Sequence, residues 1–600
     1  MSTDFDTNNL DAVKQKYQQE RSKRLRADGA RQYRGLSGQF ATLIDDPYVQ
    51  KADRQPITET VEALVVGGGF GGILAAARLR EAGVEDLRIV ERAGGFGGTW
   101  YWNRYPGAQC DVESYIYLPL LEELGYMPTQ KYVYADEIRE HVDRIVDHYE
   151  LRPVAVFHTQ VKEMHWQEED KRWRVSTDRG DVFLARFVVT ASGPLNVPKL
   201  PGIPGIESFK GKTFHTSRWD YDYTGGDEHG GLTGLADKRV AIIGTGATAV
   251  QVVPHVANSA KQLYVFQRTA SGVDERNNSA TDPEWFSSLQ PGWQRERQTN
   301  FDRITGGHPL PEDHVSDGWT EKTRRVAERM AASGAAENMS PEAFEALEEE
   351  LNLEKMNELR ARILANVKDP AAAEALQPWY RYFCKRPCFH DEYLAAFNRP
   401  NTQLVDTDGK GVEQITERGL VVDGVEYEVD CVIYATGFMV GLSSSRKDGY
   451  KAYGRDGKYL EDQHAKGYRT LHSYMTDGFP NLFFISPAQG GQPYNFSQML
   501  EVMSRHVAWT IAKVLSGGHE SVEPSIEAVD RWVATIKSLA HDWQKFADGC
   551  TPGIYNGEGG TFTPESLAGL PYAGGASAFF ELIEEWRETG GERDLVMARS

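Results

Sequence analysis

The pattern of apolar and polar positions repeats one structural unit twice along the chain. From Val61 a short apolar run (ALVV) leads into glycines, a helical pattern follows (ILAAARLREAG), and a second apolar run (LRIV) ends the unit. Strand, Gly-rich turn, helix and strand in this order predict a βαβ unit. A second copy begins at Arg239, where the runs RVAII and QLYVF flank another helical pattern. The repeat predicts an α/β fold with two Rossmann-like dinucleotide-binding domains.

Two other segments have a different pattern. Residues 1–60 form an N-terminal helical extension, whose stretch after Leu10 is helix-prone and strongly charged. This extension is interpreted either as a solvated helix on the main body or as a contact between subunits. Residues 280–378 are rich in Glu, Leu and Arg, which indicates amphipathic helices. We expect these helices to be an insertion in the second nucleotide-binding domain.

Two short turns indicate where the chain passes between the domains. Ala191-Ser192-Gly193 and Ala435-Thr436-Gly437 each end an apolar strand with small residues, which lets the chain cross closely. They predict a first nucleotide-binding domain over residues 61–193 and 437–600. The second domain, residues 194–436, is then inserted between these two parts.

Composition and charge exclude several classes of protein. Of 600 residues, 40% are hydrophobic and 26% are charged, which is too apolar for a disordered chain. The net charge of −21 argues against nucleic acid or an anionic membrane surface as a partner. The start of the chain is acidic and polar, and no run of ~18 apolar residues occurs. We therefore expect a cytoplasmic protein, either a monomer or a homo-oligomer.

The five cysteines predict neither a disulfide framework nor a metal site. They include no Cys-x-x-Cys pair, and the chain has no HExxH motif. No bound metal is expected. The cysteines are Cys110, Cys384, Cys388, Cys431 and Cys550.

The first Gly-rich turn has the spacing of a dinucleotide-binding loop. Gly67, Gly69 and Gly72 form G-x-G-x-x-G, and Phe70 lies within it. Such glycines allow a tight turn and the close approach of a pyrophosphate, which then lies at a helix N-terminus. Glu91 follows Gly67 by 24 positions, and a carboxylate there accepts hydrogen bonds from ribose hydroxyls. This acid suits FAD and NAD equally.

The second turn carries the opposite charge at the matching position. It consists of Gly244, Thr245, Gly246, Ala247, Thr248 and Ala249. Arg268, followed by Thr269, lies 24 positions after Gly244, where the first copy has an acid. Taken alone, Arg268 is equally well explained by a surface ion pair. An arginine pairs with a 2′-phosphate, so the reversal predicts FAD at the first turn and NADPH at the second.

Three further motifs stand in a fixed order with these turns. FKGKTFHTSRWD, residues 209–220, matches the pattern FxGxxxHxxxW followed by Pro or Asp. A second pattern runs from Gly98-Thr99-Trp100 through Tyr105-Pro106-Gly107 to Asp111, and a third is Lys385-Arg386-Pro387. With these motifs the chain from about Val61 onward resembles the type I Baeyer–Villiger monooxygenases, which are class B flavoprotein monooxygenases. The sequence around these motifs is most similar to that of members that act on large cyclic ketones or steroids.

The resemblance implies an activity and roles for particular residues. NADPH would reduce FAD, the reduced flavin would take up O₂, and a C4a-peroxyflavin would convert a ketone into an ester or lactone. Arg386 would be the catalytic cation, with Asp111 orienting it. Lys385 would assist Arg268 at the 2′-phosphate. The other cofactor-binding residues implied are Gly98, Thr99, Trp100, Tyr105 and Asp111 towards FAD, and Gln251 towards the nicotinamide nucleotide.

Two features of the sequence receive no catalytic role. His215 and Trp219 in the fingerprint are expected to form a hinge that couples NADP movement to the flavin site, without direct catalysis. His464 is a departure, since many relatives carry tryptophan there. Substrate-binding loops are expected around residues 442–453 and 489–496.

Three alternative functions share parts of this pattern. A flavin-dependent N- or S-hydroxylating monooxygenase has the same architecture but does not need an arginine at the peroxide, so Arg386 favours Baeyer–Villiger chemistry. A pyridine-nucleotide disulfide reductase needs a redox-active cysteine pair, and Cys384 and Cys388 have the wrong spacing. A protein that merely holds FAD would need neither Arg268 nor Arg386.

Overall fold

The computed structural model describes residues 9–333, 339–440, 449–560 and 562–599. Helices and strands alternate along most of the chain. The N-terminal part contains α1 (Leu10–Arg24) and β1 (Tyr33–Arg34). The elements of the first βαβ region are β2 (Thr58–Val66), α2 (Phe70–Glu81), β3 (Leu87–Val90), α3 (Thr99–Trp102), α4 (Ser114–Tyr117), α5 (Leu121–Leu124), α6 (Ala135–His148), β4 (Ala155–Val156), β5 (Val161–Gln167), β6 (Arg172–Thr177) and β7 (Val182–Thr190).

The second βαβ region contains the helical insertion that the sequence predicts. Its elements before the insertion are β8 (Leu200–Pro201), β9 (Lys212–His215), α7 (Tyr221–Thr224), β10 (Arg239–Ile243), α8 (Ala247–Ser259), β11 (Gln262–Gln267) and β12 (Val273–Asp274). The helices that follow are α9 (Pro283–Ser288), α10 (Trp293–Thr305), α11 (Glu321–Ser333), α12 (Pro341–Asn366) and α13 (Pro370–Ala375). The elements after them are β13 (Cys388–Phe389), α14 (Tyr393–Ala396), β14 (Thr402–Asp406), β15 (Gln414–Ile415), β16 (Gly419–Val422), β17 (Val425–Glu428) and β18 (Cys431–Tyr434).

The last part of the chain returns to the first sheet and then becomes mainly helical. Its elements are β19 (Lys451–Tyr453), α15 (Leu460–His464), β20 (Leu482–Phe484), α16 (Phe496–Ser516), β21 (Ser521–Pro524), α17 (Ile526–Leu539), α18 (His541–Gly549), α19 (Pro564–Leu567), α20 (Ala576–Glu588) and β22 (Leu595–Ala598).

One sheet is built from strands that are distant in the sequence. Its eight strands have the order β19-β5-β6-β7-β2-β3-β4, and β20 pairs with β7 off this path. Strands β2, β3, β7 and β20 are parallel, with Ala63 opposite Leu87 on one side and opposite Phe187 on the other. Helix α2 covers this sheet and packs against α16. The buried run Ala63–Val66 explains why β2 lies inside the sheet, with neighbours on both edges.

The second sheet is fully parallel. Its five strands have the order β14-β11-β10-β18-β9, and Ile243 at the end of β10 lies opposite Phe266 and Tyr434. Helix α8 follows β10 directly, as in the first unit. The α/β fold class with two Rossmann-like units is therefore confirmed. Within the described ranges, no helix is long and apolar enough to cross a membrane.

The expectation of a chain without disulfides is wrong. Cys384 and Cys550 form a disulfide that joins positions 166 residues apart. It links the loop before β13 to the end of α18. Spacing along the sequence gives no sign of this pair, because only the tertiary fold brings the two segments together. Cys110, Cys388 and Cys431 are free and buried.

The N-terminal extension packs on the body of the protein. Val13 and Tyr17 of α1 are buried, at 1% and 8% exposure, although the remaining surface of the helix is largely charged. Arg21 Nε donates a hydrogen bond of 3.2 Å to the Cys550 carbonyl. The extension therefore contacts the disulfide-linked segment.

Candidate active site

A cavity of about 430 Å³ lies at the carboxyl ends of β2, β3 and β7. Gly67 has a φ of 114°, which glycine tolerates and other residues rarely adopt. A Cβ atom on Gly72 would lie 1.8 Å from the Gly67 carbonyl oxygen, so this glycine permits the close packing of α2 on β2. Seven of the residues predicted to bind FAD line the cavity: Gly67, Gly69, Phe70, Glu91, Gly98, Thr99 and Trp100.

Glu91 is fixed at the edge of this turn. Its Oε2 accepts a hydrogen bond of 2.5 Å from the Gly68 N–H, and its Oε1 accepts one of 2.6 Å from the Ala93 N–H. Burial raises the pKa of Glu91, against the effect of these donors. A Cβ atom on Gly98 would lie 2.7 Å from the Gly69 Cα, so both loops are closed to larger side chains. A carboxylate, a helix N-terminus and exposed backbone in one elongated cavity fit FAD.

The far wall of the cavity comes from the last part of the chain. Tyr450, Leu460, His464 and Tyr468 line it together with Phe484 of β20. The departure at His464 therefore lies in the FAD cavity. Burial lowers the pKa of His464 to about 4, so its ring is neutral at pH 7.

The second Gly-rich turn leaves more space around its middle glycine than the first turn does. Gly244 has a φ of 115°, and a Cβ atom on Gly246 would meet no atom within 4 Å. Helix α8 begins at Ala247, and Thr248 lies in its first turn. Thr245 Oγ1 donates a hydrogen bond of 2.7 Å to the Thr269 carbonyl, which joins this turn to the end of β11.

Three cationic side chains lie close together beyond this turn, and the sequence predicts two of them. Arg268 and Lys385 come together as predicted. Burial and the charge of Arg268 lower the pKa of Lys385 to about 8. Lys199 is the third cation, since its charge also lowers the pKa of Lys385. We call Lys199, Arg268 and Lys385 the cation cluster; it fits the 2′-phosphate of NADPH.

The N-terminal extension supports the cation cluster. Arg24 Nε donates hydrogen bonds of 3.0 Å to the Arg268 carbonyl and to Thr269 Oγ1. Gln32 and Tyr33 accept hydrogen bonds from the Arg268 guanidinium. Lys199 Nζ lies 3.9 Å from the centre of the Tyr33 ring. Neither Lys199 nor the extension has a local motif that would have indicated this role.

Arg386 and Asp111 form an ion pair in which only the carboxylate is buried. Arg386 Nη1 lies 2.5 Å from Asp111 Oδ2, and the Asp111 side chain is only 4% exposed. Burial disfavours the charged form of both groups. The attraction between the two charges outweighs this effect, so the pKa of Arg386 is held above its usual value and the pKa of Asp111 below its usual value. The Arg386 side chain is still 40% exposed, so its guanidinium can also reach a ligand.

A second arginine, which the sequence did not single out, holds the same carboxylate. Arg276 donates to Asp111 Oδ1 and to the Gln109 side chain. Trp319 Nε1 donates a hydrogen bond of 2.8 Å to the Asp111 carbonyl. Asp111 is therefore fixed on both sides of its carboxylate. Arg276 lies eight positions after Arg268, and no spacing rule connects it with Asp111.

Gln251 and Tyr105 connect the two nucleotide-binding regions. The Tyr105 hydroxyl donates a hydrogen bond of 2.8 Å to Gln251 Oε1, and Gln251 Nε2 donates one of 2.8 Å to the Gln109 carbonyl. Neither Tyr105 nor Asp111 is among the residues that line the FAD cavity. Direct cofactor contacts of Tyr105, Asp111 and Gln251 stay predictions.

The fingerprint residues His215 and Trp219 are buried at and after the end of β9. Burial lowers the pKa of His215 to about 3, and its Nδ1 accepts a hydrogen bond of 3.2 Å from the Ser217 N–H. Trp219 Nε1 donates one of 3.0 Å to Thr224 Oγ1. A neutral, internally bonded imidazole fits a structural role. The predicted hinge movement stays a prediction.

A group of aromatic side chains lies beside Arg386. The Arg386 guanidinium lies 5.5 Å from the centre of the Trp319 ring. Trp319 contacts Tyr494 and Phe389 at centroid distances of 4.7 and 5.3 Å, and Phe383 stacks on Tyr494 at 5.4 Å. We call Trp319, Phe383, Phe389 and Tyr494 the aromatic cluster. It takes one member, Tyr494, from the predicted substrate loop 489–496. Of the other predicted loop, 442–453, residues 442–448 lie outside the described residues.

Comparisons with known proteins agree with this geometry. Residues 64–298 match the family described as pyridine nucleotide-disulphide oxidoreductase. Neopentalenolactone D synthase of Streptomyces avermitilis is 48% identical over 98% of this chain and 99% of its own length. A Baeyer–Villiger monooxygenase of Streptomyces coelicolor is 47% identical over 96% of both chains.

Solved structures extend the comparison. The polycyclic ketone monooxygenase from Thermothelomyces thermophila superposes with a TM-score of 0.90 at 37% identity, covering 99% of each chain. Related structures have been solved in complex with FAD and NADP.

Proposed function

Because this chain belongs to the Baeyer–Villiger monooxygenases, we propose that it converts large cyclic or polycyclic ketones into esters or lactones. Membership of this family gives the reaction class, the FAD and NADPH cofactors and the use of a ketone. The sequence prediction is confirmed on these points. The size of the ketone and the roles of individual residues are the proposal.

One observation carries the residue assignments: the buried Asp111 carboxylate holds the guanidinium of Arg386, which follows Lys385 of the cation cluster in the sequence, at 2.5 Å. FAD, when bound, would carry electrons from NADPH to O₂, so that one atom of that O₂ could enter the ketone while the other leaves as water. Arg386 is charged at any physiological pH and donates hydrogen bonds from a rigid fork. It therefore stabilises negative charge that develops on oxygen during the reaction.

Asp111 positions this arginine. Its two oxygens are taken by Arg386 and Arg276, so the carboxylate stays ionised and does not act as a proton donor. Trp319 fixes its backbone. The guanidinium of Arg386 is thereby oriented before a ligand arrives, and less reorganisation is needed during the reaction.

The aromatic cluster supports the choice of a large substrate. Aromatic side chains beside the partly exposed Arg386 guanidinium suit an apolar ring system whose one polar group is a carbonyl. The names of two relatives, a polycyclic ketone monooxygenase and neopentalenolactone D synthase, are consistent with this choice.

The experiment is a substrate panel with the FAD-loaded enzyme and NADPH under ¹⁸O₂. It contains monocyclic, bicyclic, tricyclic and steroid ketones, with a tertiary amine and a thioether as probes of the alternative chemistry. We expect one labelled oxygen atom in the esters or lactones of the larger ketones. Oxidation of only the amine or the thioether would contradict the proposal.

Location and assembly also remain proposals. We keep the cytoplasmic location and the description as a monomer or homo-oligomer. Sedimentation velocity of the FAD-loaded enzyme distinguishes the two assembly states.

A further inference from the structure

A carboxylate stands among the cations that are assigned to the 2′-phosphate. Glu558 Oε2 lies 3.4 Å from Arg268 Nη2, and Glu558 Oε1 lies 3.7 Å from Lys199 Nζ. Burial and Arg268 lower the pKa of Lys385, and the charge of Glu558 opposes them. The Glu558 side chain is only 6% exposed, so its carboxylate faces the cation cluster and not the solvent.

The segment that carries Glu558 is fixed beside the cluster. It begins at Cys550, which is joined to Cys384, the residue before Lys385. Lys385 Nζ donates a hydrogen bond of 3.2 Å to the Pro552 carbonyl. Glu558 itself has a φ of 61°, a left-handed conformation that residues other than glycine rarely adopt. This backbone is held in an uncommon conformation where it presents an acid to three cations.

We propose that Glu558 is the resident counter-ion of the 2′-phosphate site, that the phosphate of NADPH replaces it, and that Glu558 thereby limits the affinity for NADPH. A phosphate dianion and a carboxylate repel each other when they share the same cations. The carboxylate must therefore withdraw, and part of the attraction between phosphate and cations is lost in replacing it. NADH has a hydroxyl at this position and does not displace the acid. The inference rests on the proposed assignment of Arg268 to the phosphate.

The test measures binding of two fragments to the FAD-loaded enzyme by titration calorimetry. Adenosine 2′,5′-bisphosphate carries the 2′-phosphate, and adenosine 5′-monophosphate lacks it. In Glu558→Gln we expect the bisphosphate to bind about fivefold more tightly, since one partly buried charge interaction is removed. The monophosphate should bind as in the wild type. An unchanged or weaker affinity for the bisphosphate, or an equal gain for both fragments, overturns the proposal.

Two variants serve as controls. Glu565→Gln removes one negative charge from an exposed position seven residues further on, and we expect no change for either fragment. If Glu565→Gln tightens bisphosphate binding as much as Glu558→Gln does, the effect is one of net charge and the proposal fails. Arg268→Ala tests the phosphate assignment separately, because it should abolish the preference for the bisphosphate. If that preference persists, the phosphate assignment is wrong and the inference falls with it.

A second measurement uses the unmodified enzyme and does not depend on the folding of a variant. Amide hydrogen exchange is followed in peptides that cover residues 550–560. The bisphosphate should accelerate exchange in these peptides relative to the monophosphate, because it releases the carboxylate that holds the segment. Equal exchange with both fragments overturns the replacement of Glu558 by phosphate.

Discussion

At the scale of single residues, charge placement determines the chemistry. Asp111 binds one guanidinium with each oxygen, and only Arg386 of the two arginines retains substantial exposure. Arg276 is 4% exposed in its side chain, and its two terminal nitrogens donate to Gln109 and Asp111. The two arginines thus differ: Arg276 is buried against the carboxylate, whereas part of the Arg386 side chain stays exposed.

Arg386→Ala should separate the two halves of the reaction. The residues that bind both cofactors remain, so the variant should still consume NADPH and release hydrogen peroxide. Ester formation should fall by about 10²–10³, since a donor aimed at developing negative charge is lost. NADPH consumption, peroxide and ester are measured in the same samples, with Arg386→Lys as the matched control that keeps a cation. Ester formation near the wild-type rate in Arg386→Ala would move the catalytic assignment elsewhere.

Lys385 should make NADP⁺ binding depend on pH. Its pKa of about 8 in the free enzyme means that it is protonated below pH 8 and loses its charge above. A 2′-phosphate binds the protonated form better, so the dissociation constant for NADP⁺ should rise above pH 8, by up to about tenfold per pH unit. Fluorescence titrations from pH 7 to 9.5 measure it.

Lys385→Arg is the control for this pH dependence, because arginine stays charged throughout the range. Its dissociation constant for NADP⁺ should be nearly flat between pH 7 and 9.5, and NAD⁺ should show no step in either enzyme. A step of the same size in Lys385→Arg would assign the titration to another group.

The sequence predicts the site residues that belong to local motifs and misses those that the fold supplies. Gly67, Glu91 and Arg268 follow from a strand, a turn and a fixed count of positions, which are local rules. Arg386 required a family motif. Lys199 and Glu558 reach the same cluster from segments that are 69 positions before and 290 positions after Arg268. Their meeting depends on tertiary packing, which no spacing along one chain encodes.

At the scale of elements, the same limit applies to helices and loops. Apolar residues recur at helical spacing in α16 and α17 because each helix must bury one face. The charged surface of α1 suggested a solvated helix on the main body, but not which residues hold it there: Val13 and Tyr17 pack inward, and Arg24 donates to Thr269. A few apolar positions suffice when a charged helix lies on a surface that already carries hydrogen-bond partners.

The disulfide should stabilise the contact between the end of α18 and the loop before β13. Cys384→Ser, Cys550→Ser and the double variant should lower the thermal midpoint equally, by an amount that corresponds to about 2–4 kcal/mol. Equality is expected because all three remove the same bond. Calorimetric scans measure the midpoint, and wild type with reductant should match the variants. A double variant much less stable than both single variants would indicate that the cysteines contribute separately.

At the scale of the whole molecule, FAD binding and folding should be coupled. The cavity is lined by residues of the first βαβ region and by Tyr450, Tyr468 and Phe484 from the last part of the chain. Flavin release should therefore coincide with the main unfolding transition, because opening the cavity separates β20 from β7. Flavin fluorescence and far-ultraviolet circular dichroism are followed during heating. Release well below the loss of secondary structure would show that the cavity opens locally.

The pairing of β20 with β7 and of α16 with α2 has a consequence for how the protein is made. The ribosome completes α2 at Glu81 but does not begin α16 until Phe496. At about 5–20 residues per second this interval lasts on the order of 20–80 s. During that time the apolar face of α2 lacks its partner, whereas the five-stranded sheet is completed when β18 emerges. The nascent chain thus completes the five-stranded sheet, which begins later, before the eight-stranded sheet. A chaperone that shields α2 would act in this interval.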